Sequence, residues 1–566
     1  MKKITIATCV FLLLFAGNQS FGQNFSWAGS MGGANTDKGY SITTDAAGNT
    51  YTTGYFTGTA DFDPGAGVLN ITSIGATDIF IQKTGPSGDL IWVKNIGGAA
   101  LSCGAYDIAS DNQNNIYVTG YFGGTVDFDP GAGTSTLTSH GSEDVFLLKL
   151  DDSGNFLWAN AMGGNKSDIG LSVATDPSGD VFITGYFDGT GDFDPGAGVY
   201  NLTSAGFIDI FVQKTDASGN LLWAVSIGGT GFEEGHAMAT DGLGNVFVTG
   251  YFEKTVDFDP GAGGFPLTTN GGADVYILKL DPAGSLLWAT SFGSGSDDGG
   301  LSIATDLHGN VYTTGFFAGI ADFDPGAGTV NLTTKGSIDI FVQKSDPSGN
   351  FLWANSTGST SSDSGEGVTT DAEGNMYLVG YFRQTVDFDP GPDTASFTAV
   401  GSLDIFVQKL DSAGNLLWVK TLGGTSGEVA EAVAVDMMGN VYVTGHYTET
   451  VDFDPGAGTA SHTSMGSNDI FILKLGEVAD KITDNLWLHN FQLYPNPSTG
   501  KIRISSTENL VEAGVNVLDI SGKLIQHQTF RNTAEMELNL RVPAGIYFIE
   551  ITAAQGRAVL VANVIE

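Results

Sequence analysis

The chain has 566 residues, of which 63 are acidic and 23 are basic, so its formal net charge at pH 7 is −40. This charge argues against nucleic acid and anionic membranes as partners, and it leaves cations, neutral glycans and proteins. Hydrophobic residues make up 41% of the chain, enough for a packed core, so the 81 glycines indicate many tight turns rather than disorder.

Residues 1–22 are predicted to be an export signal. Lys2 and Lys3 precede an apolar stretch over residues 4–16, and small residues offer a cleavage site close to Gln23. The apolar stretch is too short to stay in a bilayer as a permanent helix. The mature chain is therefore predicted to be exported and to carry no transmembrane segment.

One cysteine, Cys103, remains after the signal is removed together with Cys9. A disulfide framework is therefore impossible, and stability must come from packed sheets. Cys103 is predicted to lie in a loop without a basic neighbour, which argues against a role as a nucleophile.

A pentapeptide, Asp-Phe-Asp-Pro-Gly, recurs at a nearly constant spacing of 66 and then 65 residues. Such a period indicates copies of one supersecondary unit, each stacked on its neighbours. Because the copies are near-equivalent, the repeat weakens any enzyme interpretation, since catalysis needs one asymmetric constellation. The seven copies begin at Asp61, Asp127, Asp192, Asp257, Asp322, Asp387 and Asp452.

Each unit is predicted to contain four short antiparallel strands, which make one blade of a β-propeller. In the unit over residues 235–293, the predicted strands are residues 237–240, 246–252, 274–280 and 286–292. Gly244 and Gly284 lie where hairpin turns need a positive φ. The pentapeptide falls between the second and third strands, where its Pro-Gly turn predicts a small additional hairpin.

The two ends of the repeat array complete each other. Residues 24–28 match a fourth strand, whereas the last unit stops after its third strand, at residues 469–475. A ring closed by the N-terminal strand leaves no free sheet edge. The chain is therefore predicted to be all-β, with a seven-bladed propeller of about 65-residue repeats over residues 24–475. An open solenoid is the alternative.

The repeat then resembles a known family. Trp223, Gly228-Gly229, the turn over residues 241–245 and the run Val-Phe-Val-Thr-Gly ending at Gly250 are similar to the repeat of bacterial seven-bladed β-propellers. The resemblance implies the fold and an extracellular setting. It implies no chemistry, because that family is not tied to one activity.

A different composition follows a predicted linker at residues 476–490. The motifs Leu-Tyr-Pro-Asn-Pro-Ser-Thr-Gly ending at Gly500, Asp-Ile-Ser-Gly-Lys ending at Lys523 and Pro-Ala-Gly-Ile-Tyr-Phe ending at Phe548 are those of a sorting domain. Residues 491–566 thus resemble the type A sorting domain of the type IX secretion system of Bacteroidota. The resemblance implies an immunoglobulin-like β-sandwich, recognition by the secretion machinery, and a final place outside the cell or on the outer-membrane surface.

The pentapeptide places two carboxylates in each additional hairpin, and these are candidate calcium ligands. Calcium takes several carboxylate and carbonyl oxygens, which an Asp-x-Asp pair followed by glycines supplies. The alternative is that each aspartate caps a turn by accepting backbone N–H groups. The fourteen candidates are Asp61, Asp63, Asp127, Asp129, Asp192, Asp194, Asp257, Asp259, Asp322, Asp324, Asp387, Asp389, Asp452 and Asp454.

Further charged positions recur in the copies. An acid near the Gly-Gly pair is found at Asp37, Asp168, Glu233, Asp298, Asp363 and Glu428, and Cys103 takes its place in the remaining copy. The third strand starts with an aspartate and carries a lysine five residues later, as at Asp78 and Lys83. Their opposite strand parity predicts aspartate–lysine pairs between neighbouring blades.

These observations together predict a secreted or cell-surface, non-catalytic and monomeric propeller that binds an extracellular glycan or protein or acts as a structural display module. No catalytic residue or organic cofactor is assigned. The alternative is a carboxylate-dependent glycoside hydrolase or polysaccharide lyase. Glu233, Glu234 and His236 form the least repeat-like cluster that could carry such chemistry.

Overall fold

The computed structural model describes residues 23–99, 102–477, 491–495, 498–518, 524–540, 542–543, 545–553 and 556–564. The predicted export signal and residues 478–490 of the predicted linker lie outside the described residues. The described residues belong to two compact units, which divide after Glu477. The regular elements named in both units are β-strands. Among the described residues no helix has the length and apolar character that a membrane span requires.

The first unit contains, in its described part, seven sets of four antiparallel strands, each in the order 1-2-3-4, and each set is called a sheet here. In three of them the strands of a small hairpin extend the sheet to six strands. The seven sheets are numbered here by the chain order of their first strands. These first strands are Lys38–Thr44, Cys103–Ser110, Asp168–Thr175, Glu234–Thr240, Gly299–Thr305, Ser364–Thr370 and Glu428–Val435. The second strands are Thr50–Phe56, Ile116–Phe122, Val181–Phe187, Val246–Phe252, Val311–Phe317, Met376–Phe382 and Val441–Tyr447.

The third and fourth strands continue each sheet away from the first. The third strands are Asp78–Thr84, Asp144–Leu150, Asp209–Thr215, Asp274–Leu280, Asp339–Ser345, Asp404–Leu410 and Asp469–Glu477. The fourth strands, in the same sheet order, are Leu90–Ile96, Phe156–Gly164, Leu221–Ile227, Leu286–Phe292, Phe351–Thr357, Leu416–Gly424 and Gln23–Gly33. Nearly every residue of the second and third strands is buried, because another sheet covers each of their faces.

The seven sheets form a closed ring, in which each sheet contacts the next and sheet 7 contacts sheet 1. The N-terminal strand Gln23–Gly33 pairs antiparallel with Asp469–Glu477, with Ala28 opposite Leu473, and so supplies the fourth strand of sheet 7. Each first strand contacts the first strand of the next sheet, and that of sheet 7 contacts that of sheet 1. This arrangement is a repeat β-propeller-like fold.

Hydrophobic cores lie between neighbouring sheets rather than inside any one of them. Between sheets 7 and 1, for example, Tyr442 packs with Phe56 and Phe80, and all three side chains are fully buried. Six further clusters join the other neighbouring pairs in the same way. Because each sheet contributes to two cores, a sheet removed from its neighbours would expose both of its faces.

Tryptophan and lysine side chains add polar contacts between sheets. Trp27 Nε1 of sheet 7 donates to the carbonyl of Pro86 in sheet 1 at 3.0 Å, and Lys474 Nζ donates to the same carbonyl at 3.1 Å. The repeated lysine therefore does reach the neighbouring sheet, but its partner there is not the third-strand aspartate. Asp78 instead accepts the backbone N–H groups of Ile74 and Gly75, so the predicted aspartate–lysine pair is wrong.

The small hairpin predicted around the pentapeptide is confirmed, and it joins neighbouring sheets. In sheet 1 the strand Thr59–Asp61 pairs with Asn70–Thr72, and Ala60 pairs with Gly33 of the preceding fourth strand. Phe62 is fully buried, with its ring 5.0 Å from that of Phe56. The other hairpins are Thr125–Asp127 with Thr136–Thr138, Thr190–Asp192 with Asn201–Thr203, Thr255–Asp257 with Pro266–Thr268, Ile320–Asp322 with Asn331–Thr333, Thr385–Asp387 with Ser396–Thr398, and Thr450–Asp452 with Ser461–Thr463.

Cys103 lies in a strand rather than in the predicted loop. It is the first residue of the first strand of sheet 2, and it is fully buried. Burial and then the charge of Asp78 raise the pKa of its thiol to about 12. A thiol in this state is a poor nucleophile at neutral pH.

The second unit is a separate five-stranded β-structure. Its strands are Phe491–Tyr494, Lys501–Leu518, Leu524–Asn539, Gly545–Ala553 and Gly556–Val564. The long strand Lys501–Leu518 pairs with the first, third and fourth of these. Their buried aliphatic residues, including Ile504, Val515 and Ile549, form a core of their own.

Candidate functional site

Every first strand carries a β-bulge at the same place, and a glycine in the second strand makes it possible. In sheet 1 the register shifts between Gly39 and Ser41, which leaves Tyr40 unpaired. A methyl group on Gly54 opposite would lie 1.9 Å from the carbonyl oxygen of Lys38, so only glycine admits this close approach. The corresponding glycines are Gly54, Gly120, Gly185, Gly250, Gly315, Gly380 and Gly445.

The seven bulge residues, called the axial ring here, border one cavity of about 380 Å³. The first strands of all seven sheets line it, and its volume is in the range of small-ligand sites. No lysine or arginine is found among the described residues that line it. The axial ring consists of Tyr40, Tyr106, Leu171, His236, Leu301, Glu366 and Glu431.

One side of the cavity carries two glutamates, Glu366 of sheet 6 and Glu431 of sheet 7. Burial, followed by the charge of Glu431, raises the pKa of Glu366 well above its usual range. Beside them lies His446, which is 8% exposed and has its Nδ1 3.3 Å from Glu431 Oε1. That buried nitrogen makes no hydrogen bond within the described chain.

Aromatic side chains continue from the glutamates around the ring. The Tyr40 ring lies 5.1 Å from that of Tyr106 and 5.8 Å from that of Tyr55 in its own second strand. Tyr106 in turn lies 5.7 Å from Tyr121. Burial first, and then neighbouring phenols and Glu431, raise the pKa of Tyr40, so its hydroxyl stays protonated.

The remaining arc holds Leu171, His236 and Leu301. His236 Nε2 lies 3.2 Å from Glu234 Oε2, and its ring lies 5.9 Å from that of Tyr251. Burial alone would raise the pKa of Glu234, but the hydrogen bond and charge of His236 lower it. Of the predicted Glu233–Glu234–His236 cluster, His236 therefore borders the cavity, and Glu234 contacts His236.

Glu233 does not belong to this cavity. It is fully buried, and its Oε2 accepts the N–H of Gly229 at 2.9 Å. Burial, and less strongly the charge of Asp209, raise the pKa of Glu233 to about 7. A methyl group on Gly228 would lie 2.1 Å from the Asp209 carboxyl carbon, which explains the first glycine of the Gly-Gly pair.

The arrangement around Glu233 recurs between the sheets, so Glu233 follows the repeat rather than departing from it. We call these contacts acid pairs, because each joins a third-strand aspartate to the acid that enters the next sheet. Five are supported by direct electrostatic interaction: Asp144 with Asp168, Asp209 with Glu233, Asp274 with Asp298, Asp339 with Asp363, and Asp404 with Glu428. Asp469 interacts likewise with Asp37, and Asp78 with Cys103.

Asp107, an acid in the next layer of the cavity wall, is engaged by the protein itself. It accepts hydrogen bonds from Ser41 Oγ at 2.7 Å, Ser172 Oγ at 2.8 Å and the N–H of Val173 at 2.8 Å. These donors come from the first strands of sheets 1 and 3, on either side of sheet 2. Asp107 therefore links three sheets.

The pentapeptide aspartates close their own loops. Asp61 Oδ1 accepts the N–H groups of Asp63 at 3.1 Å and Leu69 at 2.7 Å, and Asp63 Oδ1 accepts that of Gly65 at 2.9 Å. The same bonds recur in the other hairpins. No group of three or more histidine, cysteine or acidic residues is placed to hold a metal among the residues with described positions.

Calcium binding by these fourteen aspartates stays a prediction, and chelation tests it. Because backbone N–H groups already occupy one oxygen of each aspartate, we expect EDTA to leave the melting temperature of the full chain unchanged within error. Differential scanning calorimetry with and without calcium measures this. A fall in melting temperature that calcium alone restores would establish the calcium site instead.

The axial ring is a candidate site that the sequence interpretation missed, apart from His236. Its residues lie five positions before the aspartate that opens the first turn, as Tyr40 precedes Asp45. Across the copies this position holds tyrosine, leucine, histidine or glutamate, whereas the neighbouring turn aspartate is constant. The signal was the variation between copies at one position, not a motif.

Comparison with known proteins identifies the C-terminal unit and gives distant relatives of the repeats. Residues 492–565 match the family described as the secretion system C-terminal sorting domain. This domain indicates export to the cell surface or the extracellular space and interaction with the type IX secretion machinery.

Two curated relatives are each 26% identical to this chain. One, an uncharacterized WD repeat-containing protein of Acanthamoeba polyphaga mimivirus, aligns over 502 residues, covering 75% of this chain and 36% of the relative. The other, the regulatory protein FlaEY of Caulobacter vibrioides, aligns over 341 residues, covering 56% of this chain and 34% of the relative. The chain spans about a third of the length of these relatives, and neither name states an enzymatic activity.

Two solved structures give only weak similarity. A fungal alcohol oxidase of the AA5 family in complex with copper covers 81% of this chain and 96% of its own, with 11% identity and a TM-score of 0.30. A tetra-tandem repeat from a large adhesion protein covers 93% of this chain and 99% of its own, with 10% identity and a TM-score of 0.11. Scores this low support no conclusion about function.

Proposed function

We propose that this protein is a secreted or cell-surface binding module without catalytic activity, which takes its extracellular ligand in the axial cavity. In this proposal residues 24–475 form a monomeric seven-bladed β-propeller closed by its N-terminal strand. Residues 1–22 are the export signal, residues 476–490 a linker, and residues 491–566 an immunoglobulin-like sorting domain. The ligand belongs to an extracellular glycan or protein.

One observation carries the proposal: a position whose chemistry differs between the copies converges on a single cavity. Glycines, turn aspartates and tryptophans are shared by the copies because each sheet needs the same turns and contacts. The axial ring has no such common role, yet all seven of its residues border the same cavity. A seven-fold repeat thereby acquires one asymmetric site, which recognition requires.

Export through the C-terminal domain predicts a clear phenotype. In a host with a type IX secretion system, deletion of residues 491–566 is expected to retain the protein in the periplasm, because the sorting signal is lost. Immunoblots of periplasmic, surface and medium fractions measure this. The Glu366→Gln variant, which leaves the C-terminal unit intact, is the control and is expected to be exported normally.

A screen of the full chain against extracellular polysaccharides and matrix proteins tests ligand binding. The double variant Glu366→Gln/Glu431→Gln is expected to lose at least tenfold in affinity for any ligand found, because both side chains border the cavity. Glu373→Gln, in an exposed turn of sheet 6, is the matched control and is expected to bind as the wild type does. Binding that survives the double variant but is lost with Asp61→Asn would place the site on the hairpins instead.

A carboxylate-dependent hydrolase or lyase remains the second candidate because of one specific observation. Glu366 and Glu431 share the cavity, and the raised pKa of Glu366 is what a general acid needs at neutral pH. Turnover of a polysaccharide that Glu366→Gln abolishes would favour this candidate over simple binding. Binding without release of reducing ends or unsaturated products would favour the binding module.

A further inference from the structure

We propose that the axial cavity binds an alkylammonium group, with the ammonium beside the two glutamates of the axial ring and the alkyl chain beside its two leucines. This inference rests on the function proposed above and names the ligand class of that site. The group could be a free amine or a lysine side chain of a partner, since both present the same chemistry.

The charge of the cavity selects a cation. Glu366 and Glu431 are neighbours in the ring, the described lining residues include no lysine or arginine, and the basic side chain beside Glu431 is His446, at 3.3 Å. The raised pKa of Glu366 indicates that the cavity tolerates the second negative charge poorly. An ammonium supplies a positive charge and three N–H donors at this place, whereas an anion would add to the repulsion.

The aromatic arc next to the glutamates favours the same ligand. Tyr40 follows Glu431 in the ring, and the pKa of its phenol is raised by burial first, then by Tyr55 and by the charge of Glu431. With Tyr106 it presents ring surface to the cavity, and the faces of aromatic rings attract cations. The tyrosines stay uncharged at neutral pH and therefore add no charge that would need its own partner.

A buried unpaired nitrogen provides independent evidence that the glutamate side of the cavity is incomplete. His446 is more than nine-tenths buried, and its Nδ1 points at Glu431 from 3.3 Å without making a hydrogen bond in the described chain. Buried polar atoms are nearly always satisfied in native proteins. His446 can pair with Glu431 when it is protonated, but its Nδ1 makes no hydrogen bond among the described residues, so the glutamate side of the cavity has room for a further donor.

The wall below the ring is mixed, and its aliphatic residues offer contacts for an alkyl chain between polar ones such as Ser41 and Asp107. Leu171 and Leu301 face the cavity, and the next inward residues, such as Ile42, Val173 and Ile303, also line it. A chain of about four or five methylenes has room in the cavity and can contact these aliphatic residues.

Isothermal titration calorimetry of the full chain with n-pentylammonium tests the proposal. We expect one site per chain and an affinity at least tenfold higher than that for the neutral isostere pentan-1-ol, because only the amine engages the carboxylates and tyrosine faces. The double variant Glu366→Gln/Glu431→Gln is expected to bind the amine at least tenfold more weakly than the wild type and to bind pentan-1-ol with unchanged affinity. The exposed Glu373→Gln variant is expected to bind both probes as the wild type does.

A second variant covers the case in which the double variant does not fold. Tyr106→Leu keeps an apolar side chain of moderate size and is expected to weaken pentylammonium binding severalfold while pentan-1-ol binding stays the same. Equal affinity for the two probes, or no binding of the amine to the wild type, would overturn the proposed ligand class. The amine proposal can fail while the proposed binding function stands, if the screen finds a glycan or protein whose binding depends on Glu366 and Glu431. If the screen finds no such ligand either, the amine proposal and the proposed binding function both fail.

Discussion

Replacement of Gly250 by alanine is expected to lower the free energy of unfolding by about 3 kcal/mol or more and to disturb the cavity at His236. The added methyl group would lie 1.9 Å from the carbonyl oxygen of Glu234 and 3.1 Å from the N–H nitrogen of His236. Both are backbone atoms of the bulge, so no side chain can turn away to make room. Either the two strands separate or the bulge is lost, and the side chain of His236 moves with it.

Gly242→Ala in the same sheet is the matched control. No atom lies within 4 Å of the methyl group that this change adds, and Gly242 is not in the left-handed region of φ. The same glycine-to-alanine change should therefore be nearly neutral or slightly stabilising. Urea unfolding followed by fluorescence measures both variants, and equal stabilities of the two would show that the close approach at Gly250 does not matter.

The regular parts of the fold could be predicted from single-copy patterns. The strands Val246–Phe252, Asp274–Leu280 and Leu286–Phe292 have the predicted bounds, because their alternation is uninterrupted and glycines mark their turns. Gly244 and Gly284 have φ values of 78° and 82°, as the hairpin turns require. Residues 24–28 likewise lie within the fourth strand of sheet 7.

The first strands were harder to predict for a physical reason. In sheet 4 the strand starts at Glu234, three residues before the predicted start, since the bulge at His236 breaks the two-residue period. The same irregularity made Cys103 look like a loop residue. The bulge breaks the alternation by which a strand is recognised, and its unpaired residue is the one that borders the cavity. One irregularity therefore made both the first strands and the axial ring hard to predict.

The pentapeptide is a conspicuous motif whose described contacts are all within the fold, and its calcium binding stays a prediction. Its aspartates attracted a calcium interpretation, yet the described contacts join their oxygens to backbone N–H groups of the same loop. Its phenylalanine, which looks unremarkable in the sequence, is the fully buried residue that anchors the hairpin between two sheets. The motif therefore accounts for packing, and its recurrence in every copy reflects seven equivalent interfaces.

The acid pairs lead to the second large effect, a loss of stability as the pH rises from about 5.5 to 8.5. Burial raises the pKa of Asp168 to about 6 and that of Glu233, Asp274, Glu428 and Asp469 to about 7. In the unfolded chain the corresponding values are about 3.9 for aspartate and 4.3 for glutamate. The folded state therefore binds more protons between these limits, and the stability that these protons contribute is fully present below about pH 4 and is lost as the pH rises through about 7.

Other aspartates have a lowered pKa, and their contribution to stability changes only at low pH. Burial would raise the pKa of residues such as Asp241 and Asp306, but hydrogen bonds within the turns lower it, so their contribution is lost as the pH falls below about 4. The melting temperature is therefore expected to be highest near pH 5 and to fall by several degrees toward pH 8.5. Calorimetry at constant ionic strength across this range measures the profile.

The net charge of the chain complicates this profile, because general repulsion between carboxylates also grows with pH. Glu233→Gln separates the two effects when it is compared with Glu373→Gln, since each variant removes one negative charge at pH 8.5 but only Glu233 is buried in an acid pair. The amide that replaces the Glu233 carboxylate can still accept the N–H of Gly229 and carries no charge to bury. We therefore expect Glu233→Gln to raise the melting temperature at pH 8.5 and to leave it unchanged at pH 5. Glu373→Gln is expected to change the melting temperature at neither pH. A lower melting temperature for Glu233→Gln at pH 8.5 would mean that the ionised acid pair stabilises the fold.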